Sequence, residues 1–155
     1  MEIKISFSKE QFEKAVKLVY IGNLVVNGMR EGDDDNPRFE EYDEIENIFL
    51  KTAHENGFKH FVEKDEDEDE YYPSEELEFD KEIDLLMDDY VEDCFWEELA
   101  LRLASRDVAE KVVANNDLSF PSEKDFKLLE KIIDEYNEEF EDNGIDNLRI
   151  VKKPE

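Results

Sequence analysis

The sequence predicts a mainly α fold (α+β), with about five helices packed as one domain and a small two-stranded sheet formed by the N- and C-terminal segments. Apolar residues recur at helical spacing through most of the chain, and residues with helix-capping side chains precede these stretches. A period-two alternation, which is typical of strands, occurs at the N-terminus. The chain has 155 residues, which is the length of one domain, so residues 1–155 are expected to fold together.

The two predicted strands lie at the ends of the chain. Glu2–Phe7 alternates polar and apolar side chains, and Asn147–Lys152 is expected to pair with it. Ser8 then begins the first helix, because Gln11 three residues later completes a capping box. This helix is expected to end near Met29.

A second helix is expected where Asn36 can serve as N-cap and Pro37 can occupy the first helical position. It should end just before the glycine at position 57. After a short apolar segment, residues 63–73 are predicted to form an acidic loop. The reason is that Glu63–Glu70 contains no apolar side chain and should be solvated.

Three further helices are predicted after a short turn capped by Ser74. Asp80–Asp93 should form an amphipathic helix whose apolar arc points inward and whose acids point outward. Cys94–Val113 should form a separate core helix. Ser122 caps the last helix, which should end near Gly144. The residues expected on the inward arc of the acidic helix are Phe79, Ile83, Leu86, Met87, Tyr90 and Val91.

Negative charge dominates the composition. The formal net charge is −27, and Glu63–Asp93 alone holds 17 acidic residues and two lysines, a net charge of −15. Such a chain repels phosphates, which excludes direct nucleic-acid binding and favours basic protein surfaces or cations as partners. Self-repulsion should also keep the protein a monomer or a weak dimer, and added salt should stabilise it by screening.

The chain shows no pattern typical of an enzyme or a membrane protein. It contains no nucleophile motif, no glycine-rich phosphate loop and no metalloprotease motif, so no enzymatic activity and no cofactor are expected. No apolar run approaches the roughly 18 residues that a membrane span needs, so no membrane partner is expected. A single cysteine excludes an internal disulfide and favours a reducing compartment, which predicts a cytoplasmic protein.

The acidic side of Asp80–Asp93 suggests a binding function. Fourteen helical residues rise about 21 Å, so the seven carboxylates of this stretch, with that of neighbouring Glu78, stand roughly 3 Å apart. A nucleic-acid strand offers one phosphate per about 3.4 Å. The strip therefore suits an inhibitor or DNA-mimicking decoy that occupies the basic groove of a nucleic-acid enzyme; the alternative is a solvated face that only aids solubility. The candidate partner-binding residues are Glu82, Asp84, Asp88, Asp89 and Glu92.

The acidic loop supports a second interpretation, which is a divalent-cation site. The residues at positions 1, 3, 5 and 12 of an EF-hand calcium loop would be Asp65, Asp67, Asp69 and Glu76. Position 6 requires a glycine for a sharp turn, but Glu70 stands there. These carboxylates therefore predict loosely bound calcium or magnesium rather than a selective site. A metal-dependent hydrolase is a third alternative, and it would need a pocket where acids and a histidine converge.

Several short strings along the chain carry a resemblance to a protein family. They are Phe95-Trp96-Glu97-Glu98-Leu99, Leu103-Ala104, Arg106-Asp107, Val19-Tyr20-Ile21-Gly22-Asn23, Asn143-Gly144-Ile145 and Leu148-Arg149-Ile150. With these strings the chain resembles a family of small acidic bacterial proteins of unknown function over nearly its whole length. The resemblance implies a prokaryotic, cytosolic setting and brings no activity, cofactor or catalytic residue.

Overall fold

The computed structural model describes residues 3–67, 70–114 and 122–151. Within these residues the predicted class is confirmed, since the chain is mainly helical and carries a small two-stranded antiparallel sheet. The helices are α1 (Lys9–Asn27), α2 (Glu40–Glu55), α3 (Glu75–Glu78), α4 (Lys81–Ala114) and α5 (Glu123–Asn143), with a 3-10 turn at Lys59–Phe61. The strands are β1 (Val62–Asp65) and β2 (Glu70–Pro73).

The distances between Cα atoms divide the chain into two compact units. We call Met1–Leu86 the N-terminal unit and Met87–Glu155 the C-terminal unit. The division falls within the second turn of α4. The single domain expected from the chain length stays a prediction.

The sheet does not form where the alternating pattern predicted it. Ile3–Phe7 and residues 148–151 contain no strand, although both stretches are described; Glu2 and Lys152 lie outside the described residues. The apolar face expected near the N-terminus stays largely exposed, with Ile3 at 74% and Ile5 at 71% of full exposure. A strand needs buried side chains and backbone partners from elsewhere in the chain, and a local alternation supplies neither.

The sheet forms instead from the acidic segment that was expected to be a loop. β1 and β2 pair as an antiparallel hairpin, with Val62 opposite Pro73 and Asp65 opposite Glu70. Backbone hydrogen bonds need no apolar side chains, so a charged sequence can still form a ladder. The hairpin is held to α2, because Tyr71 is buried and Asn47 donates a hydrogen bond of 3.1 Å to its carbonyl oxygen.

Helix α1 begins as predicted, whereas α2 begins three residues late. Ser8 and Gln11 form the expected capping box. The expected cap of α2, Asn36, instead accepts a 3.4 Å hydrogen bond from Arg30 and donates one of 2.8 Å to the Met29 carbonyl oxygen. Its side chain is therefore engaged in the preceding loop, and α2 starts at Glu40.

The N-terminal unit has a core of aliphatic and aromatic side chains between α1, α2 and the hairpin. Val16, Leu50 and Leu77 are almost fully buried. Phe12 stacks on Phe49, with ring centroids 6.0 Å apart. This core fixes the positions of the polar groups on α1 and α2 that are described below.

The prediction of two helices at Asp80–Asp93 and Cys94–Val113 was wrong, because α4 runs without interruption from Lys81 to Ala114. No glycine or proline lies within it to end a helix. Asp80 caps its first turn, and its carboxylate accepts hydrogen bonds of 3.0 and 3.2 Å from the Glu82 and Ile83 amides.

The predicted inward arc of the acidic helix was also wrong. Ile83 is buried, but Phe79, Leu86, Tyr90 and Val91 are exposed. Met87 is half-buried. Amphipathic spacing shows which side chains share a face, whereas burial of that face depends on a neighbouring element that covers it.

The C-terminal unit is built from α4 and α5. Ser122 caps α5 as predicted, and Gly144 with a φ of +55° ends it. Buried Ala104 and Val108 of α4 pack with Ile132 of α5. One side of α4 is therefore covered by α5 in this unit.

Candidate interaction surface on helix α4

The first turns of α4 in the C-terminal unit lack a covering element. From Met87 to Phe95 no side chain is buried, and all except the half-buried Met87 are exposed. A helix in a folded unit normally buries one face. This segment therefore presents both polar and apolar side chains to a partner.

Four acids of this segment, Asp88, Asp89, Glu92 and Asp93, form what we call the acidic face. No lysine or arginine among the described residues makes an ion pair with them. Glu92 accepts a 3.4 Å hydrogen bond from the Trp96 indole, which leaves its charge in place. The four carboxylates lie within about 7.5 Å of helix rise. Asp84, which belongs to the N-terminal unit, is also exposed.

Glu82 occupies a different environment from the other predicted partner-binding residues. Lys14 and Lys17 of α1 both form ion pairs with it, and the Lys17 Nζ–Oε2 distance is 2.9 Å. Hydrogen bonds from these two ammonium groups lower the pKa of Glu82. The Glu82 carboxylate therefore already has ion-pair partners within the N-terminal unit.

Lys17 links α1 to the start of α4. Its Nζ atom lies 2.7 Å from Asp80 Oδ2, and its side chain is 11% exposed. Burial opposes charging of this ammonium, but hydrogen bonds to Asp80 and Glu82 prevail and raise the pKa of Lys17. Burial also disfavours the Asp80 carboxylate, and the Lys17 hydrogen bond with the capping amides overcomes it and lowers the pKa of Asp80. We call Lys17, Asp80 and Glu82 the lysine clamp.

An apolar strip runs beside the acidic face. Val91 is 57% exposed and Phe95 is 50% exposed. At 100° per residue, positions nine apart point in opposite directions, so these two side chains oppose Ala100 and Ala104. Both alanines are fully buried, and Ala104 belongs to the core shared with α5. The apolar strip therefore lies on the side of α4 opposite to the one that α5 covers further along the helix.

A cleft of about 940 Å³ lies in the N-terminal unit between α1, α2 and the hairpin. Asn23 of α1 donates hydrogen bonds to Asp43 at 3.0 Å and to Glu46 at 2.9 Å, and Asn27 donates one to Asn23 at 2.9 Å. Arg38 pairs with Asp43 at 2.6 Å. The residues that line the polar part of the cleft include Tyr20, Asn23, Asp43, Glu46, Tyr71 and Glu78.

The pKa values of the two acids in this network are shifted in opposite directions. The Arg38 hydrogen bond, together with those from Asn23 and Asn27, lowers the pKa of Asp43 despite some burial. Burial raises the pKa of Glu46, and the nearby charge of Asp43 adds to that effect. Sequence reasoning missed this network; its one local signal was a pair of asparagines four residues apart on the apolar side of α1. The network joins α1 to α2.

Two of the predicted metal ligands, Asp65 and Asp67, lie on the β1–β2 hairpin rather than on an EF-hand loop. Asp65 ends β1, and its carboxylate accepts a 2.8 Å hydrogen bond from the amide of Asp67 in the turn. Glu76 lies on α3, and Asp69 lies outside the described residues. Among residues 3–67, 70–114 and 122–151, no group of three or more histidine, cysteine, aspartate or glutamate side chains is placed to hold a metal ion. Calcium or magnesium binding stays a prediction.

No described helix combines the length and the apolar character needed to cross a bilayer. The predicted resemblance to small acidic bacterial proteins stays a prediction. Comparisons with protein-family models, with curated proteins and with solved structures found no match to this chain.

Proposed function

We propose that this protein is a non-catalytic interaction protein that binds a basic protein surface through the acidic face of α4. The observation that carries the proposal is that Asp88, Asp89 and Asp93 have no ion-pair partner among the described residues and stand on a stretch of α4 in which no side chain is buried, whereas Glu82 is paired twice. Carboxylates that form no ion pair within the protein are available to the basic side chains of a partner. The reducing compartment favoured by the single cysteine is consistent with a cytoplasmic partner.

The charge of the whole chain favours such a complex. A protein with a net charge of −27 repels itself, and a basic partner relieves that repulsion when it binds. Complementary charge also accelerates association, which makes the rate depend on salt. Four carboxylates within about 7.5 Å of rise match or exceed the charge density of one nucleic-acid strand. The surface that fits this density best is the groove of a nucleic-acid enzyme, which would make the protein an inhibitor or a DNA-mimicking decoy.

The experiment compares two triple variants with the same change in net charge. Asp88→Lys, Asp89→Lys and Glu92→Lys reverse the acidic face. The matched control reverses three exposed acids on α5, none of which has an ion-pair partner among the described residues; they are Glu130, Asp134 and Glu138. Each reversal adds two charges, so both variants change the net charge from −27 to −21.

The immobilised proteins are used to capture partners from a cell lysate at physiological salt, with elution by NaCl. We expect the wild type and the α5 control to retain the same basic proteins and the α4 variant to lose them. Equal loss from both triple variants would mean that net charge alone attracts these proteins. Equal retention by both would refute the assignment to α4.

A further inference from the structure

We infer that the partner binds α4 with a basic amphipathic helix, whose apolar side covers Met87, Val91 and Phe95 and whose lysines or arginines reach the adjacent acids. This inference rests on the proposed function and specifies the partner's chemistry. It concerns the C-terminal unit alone. The apolar strip is the part of the surface that charge reversal does not test.

The shape of the strip favours a helix as the occupant. Met87, Val91 and Phe95 follow each other at intervals of four residues, so they form one row along the helix. The row rises about 12 Å. A row this narrow suits packing against another helix, because two helices pack by placing a row of side chains from one beside a row from the other.

The charges along the strip favour a basic occupant over a second copy of the chain. Asp88 and Glu92 stand one residue after Met87 and Val91, so they line one edge of the apolar row. The other edge is uncharged, because Tyr90 and Cys94 stand there, one residue before Val91 and Phe95. A second copy would add its own acidic edge to the complex, whereas the lysine or arginine side chains of a basic partner would neutralise Asp88 and Glu92.

The test uses two synthetic helical peptides of equal charge. One carries leucines at positions i, i+3, i+4 and i+7, so that they form one stripe along the helix, and lysines at the positions beside that stripe. The other carries glutamine in place of each leucine. We expect the leucine peptide to bind the wild-type chain much more tightly than the glutamine peptide, because only the first can bury the apolar row.

Two double variants, without any change in charge, localise the effect. Val91→Ser with Phe95→Ser removes two side chains of the row. Phe126→Ser with Ile145→Ser is the matched control, because those side chains are 56% and 57% exposed elsewhere in the same unit. Burial of two half-exposed apolar side chains predicts that the first variant binds the leucine peptide about 30-fold more weakly and that the control binds it like the wild type.

The chain's one cysteine gives a second measurement on the same surface. Cys94 is exposed and precedes Phe95 on α4. We expect the leucine peptide to slow alkylation of this thiol by iodoacetamide, and the glutamine peptide to slow it less. Circular dichroism shows whether each variant keeps its helical content.

The outcomes separate this inference from the proposed function. If reversal of the acidic face abolishes peptide binding but Val91→Ser with Phe95→Ser changes nothing, the proposed function stands and the amphipathic-helix partner is wrong. If neither variant weakens binding, both are wrong. A wild-type dimer in sedimentation equilibrium that dissociates in the Val91→Ser and Phe95→Ser variant would overturn the inference in favour of a second copy.

Discussion

Replacement of Lys17 by methionine should destabilise the N-terminal unit substantially. Methionine keeps most of the apolar stem but removes the ammonium that lies 2.7 Å from Asp80 and 2.9 Å from Glu82. The Asp80 side chain is only 17% exposed, so the substitution leaves a largely buried carboxylate without a cation. Such a loss costs about 3–5 kcal/mol when the pair is fully buried.

The expected cost here is smaller, because one of the two acids keeps a partner. Glu82 is partly exposed and still pairs with Lys14 after the substitution. We therefore expect a loss of about 2 kcal/mol in the free energy of unfolding. Lys14→Met is the matched control, since its side chain is 58% exposed and an exposed ion pair contributes little to stability.

Native-state hydrogen exchange of the α1 amides is the appropriate measurement, because it reports opening of this unit directly. A double-mutant cycle with Asp80→Asn then isolates the coupling between Lys17 and Asp80. If Lys17→Met loses no more protection than Lys14→Met, the clamp does not stabilise the unit and the reasoning from burial fails.

Three further predictions concern the buried polar groups of the N-terminal unit. Glu46→Gln should stabilise the protein by up to about 1 kcal/mol at pH 7, because a neutral amide removes a half-buried charge beside Asp43. Urea unfolding should show no such gain for Glu44→Gln. The gain should shrink when acid protonates Glu46 in the wild type. Asn27→Ala should lower the free energy of unfolding by about 2–3 kcal/mol in the same assay, because Asn27 is 1% exposed and its side-chain amide group and carbonyl oxygen both form hydrogen bonds. A loss below about 1 kcal/mol would contradict the proposed role of the network. Folding lowers the pKa of Asp43 and of Asp80. Their contribution to stability is therefore complete above the ordinary carboxyl pKa near 4, and it is lost as the pH falls through their pKa values in the folded protein. A free energy of unfolding that stayed constant from about pH 4 to pH 2 would contradict this prediction.

The proposed interaction surface was only partly predictable. The acids of the partner-binding set could be named from the sequence, because charge is a property of each residue. The sequence does not tell which of these acids are available to a partner. Glu82, for example, is paired with Lys14 and Lys17, which lie more than 60 residues earlier in the chain. The apolar row at Met87 and Val91 was expected to face the core, but Val91 is exposed and Met87 is only half-buried, which makes the row a candidate for binding.

The features that local chemistry decides follow from the sequence alone. They include the helical class, the caps at Ser8, Ser74 and Ser122 and the negative charge, because a cap or a helical hydrogen bond joins residues within about four positions. Tertiary structure alone decided that the acidic segment forms a hairpin, that Lys17 neutralises Asp80, and that one apolar side of α4 is covered while the other is open. Each of these depends on which distant segments meet, and that choice minimises the free energy of the whole fold rather than of any local stretch.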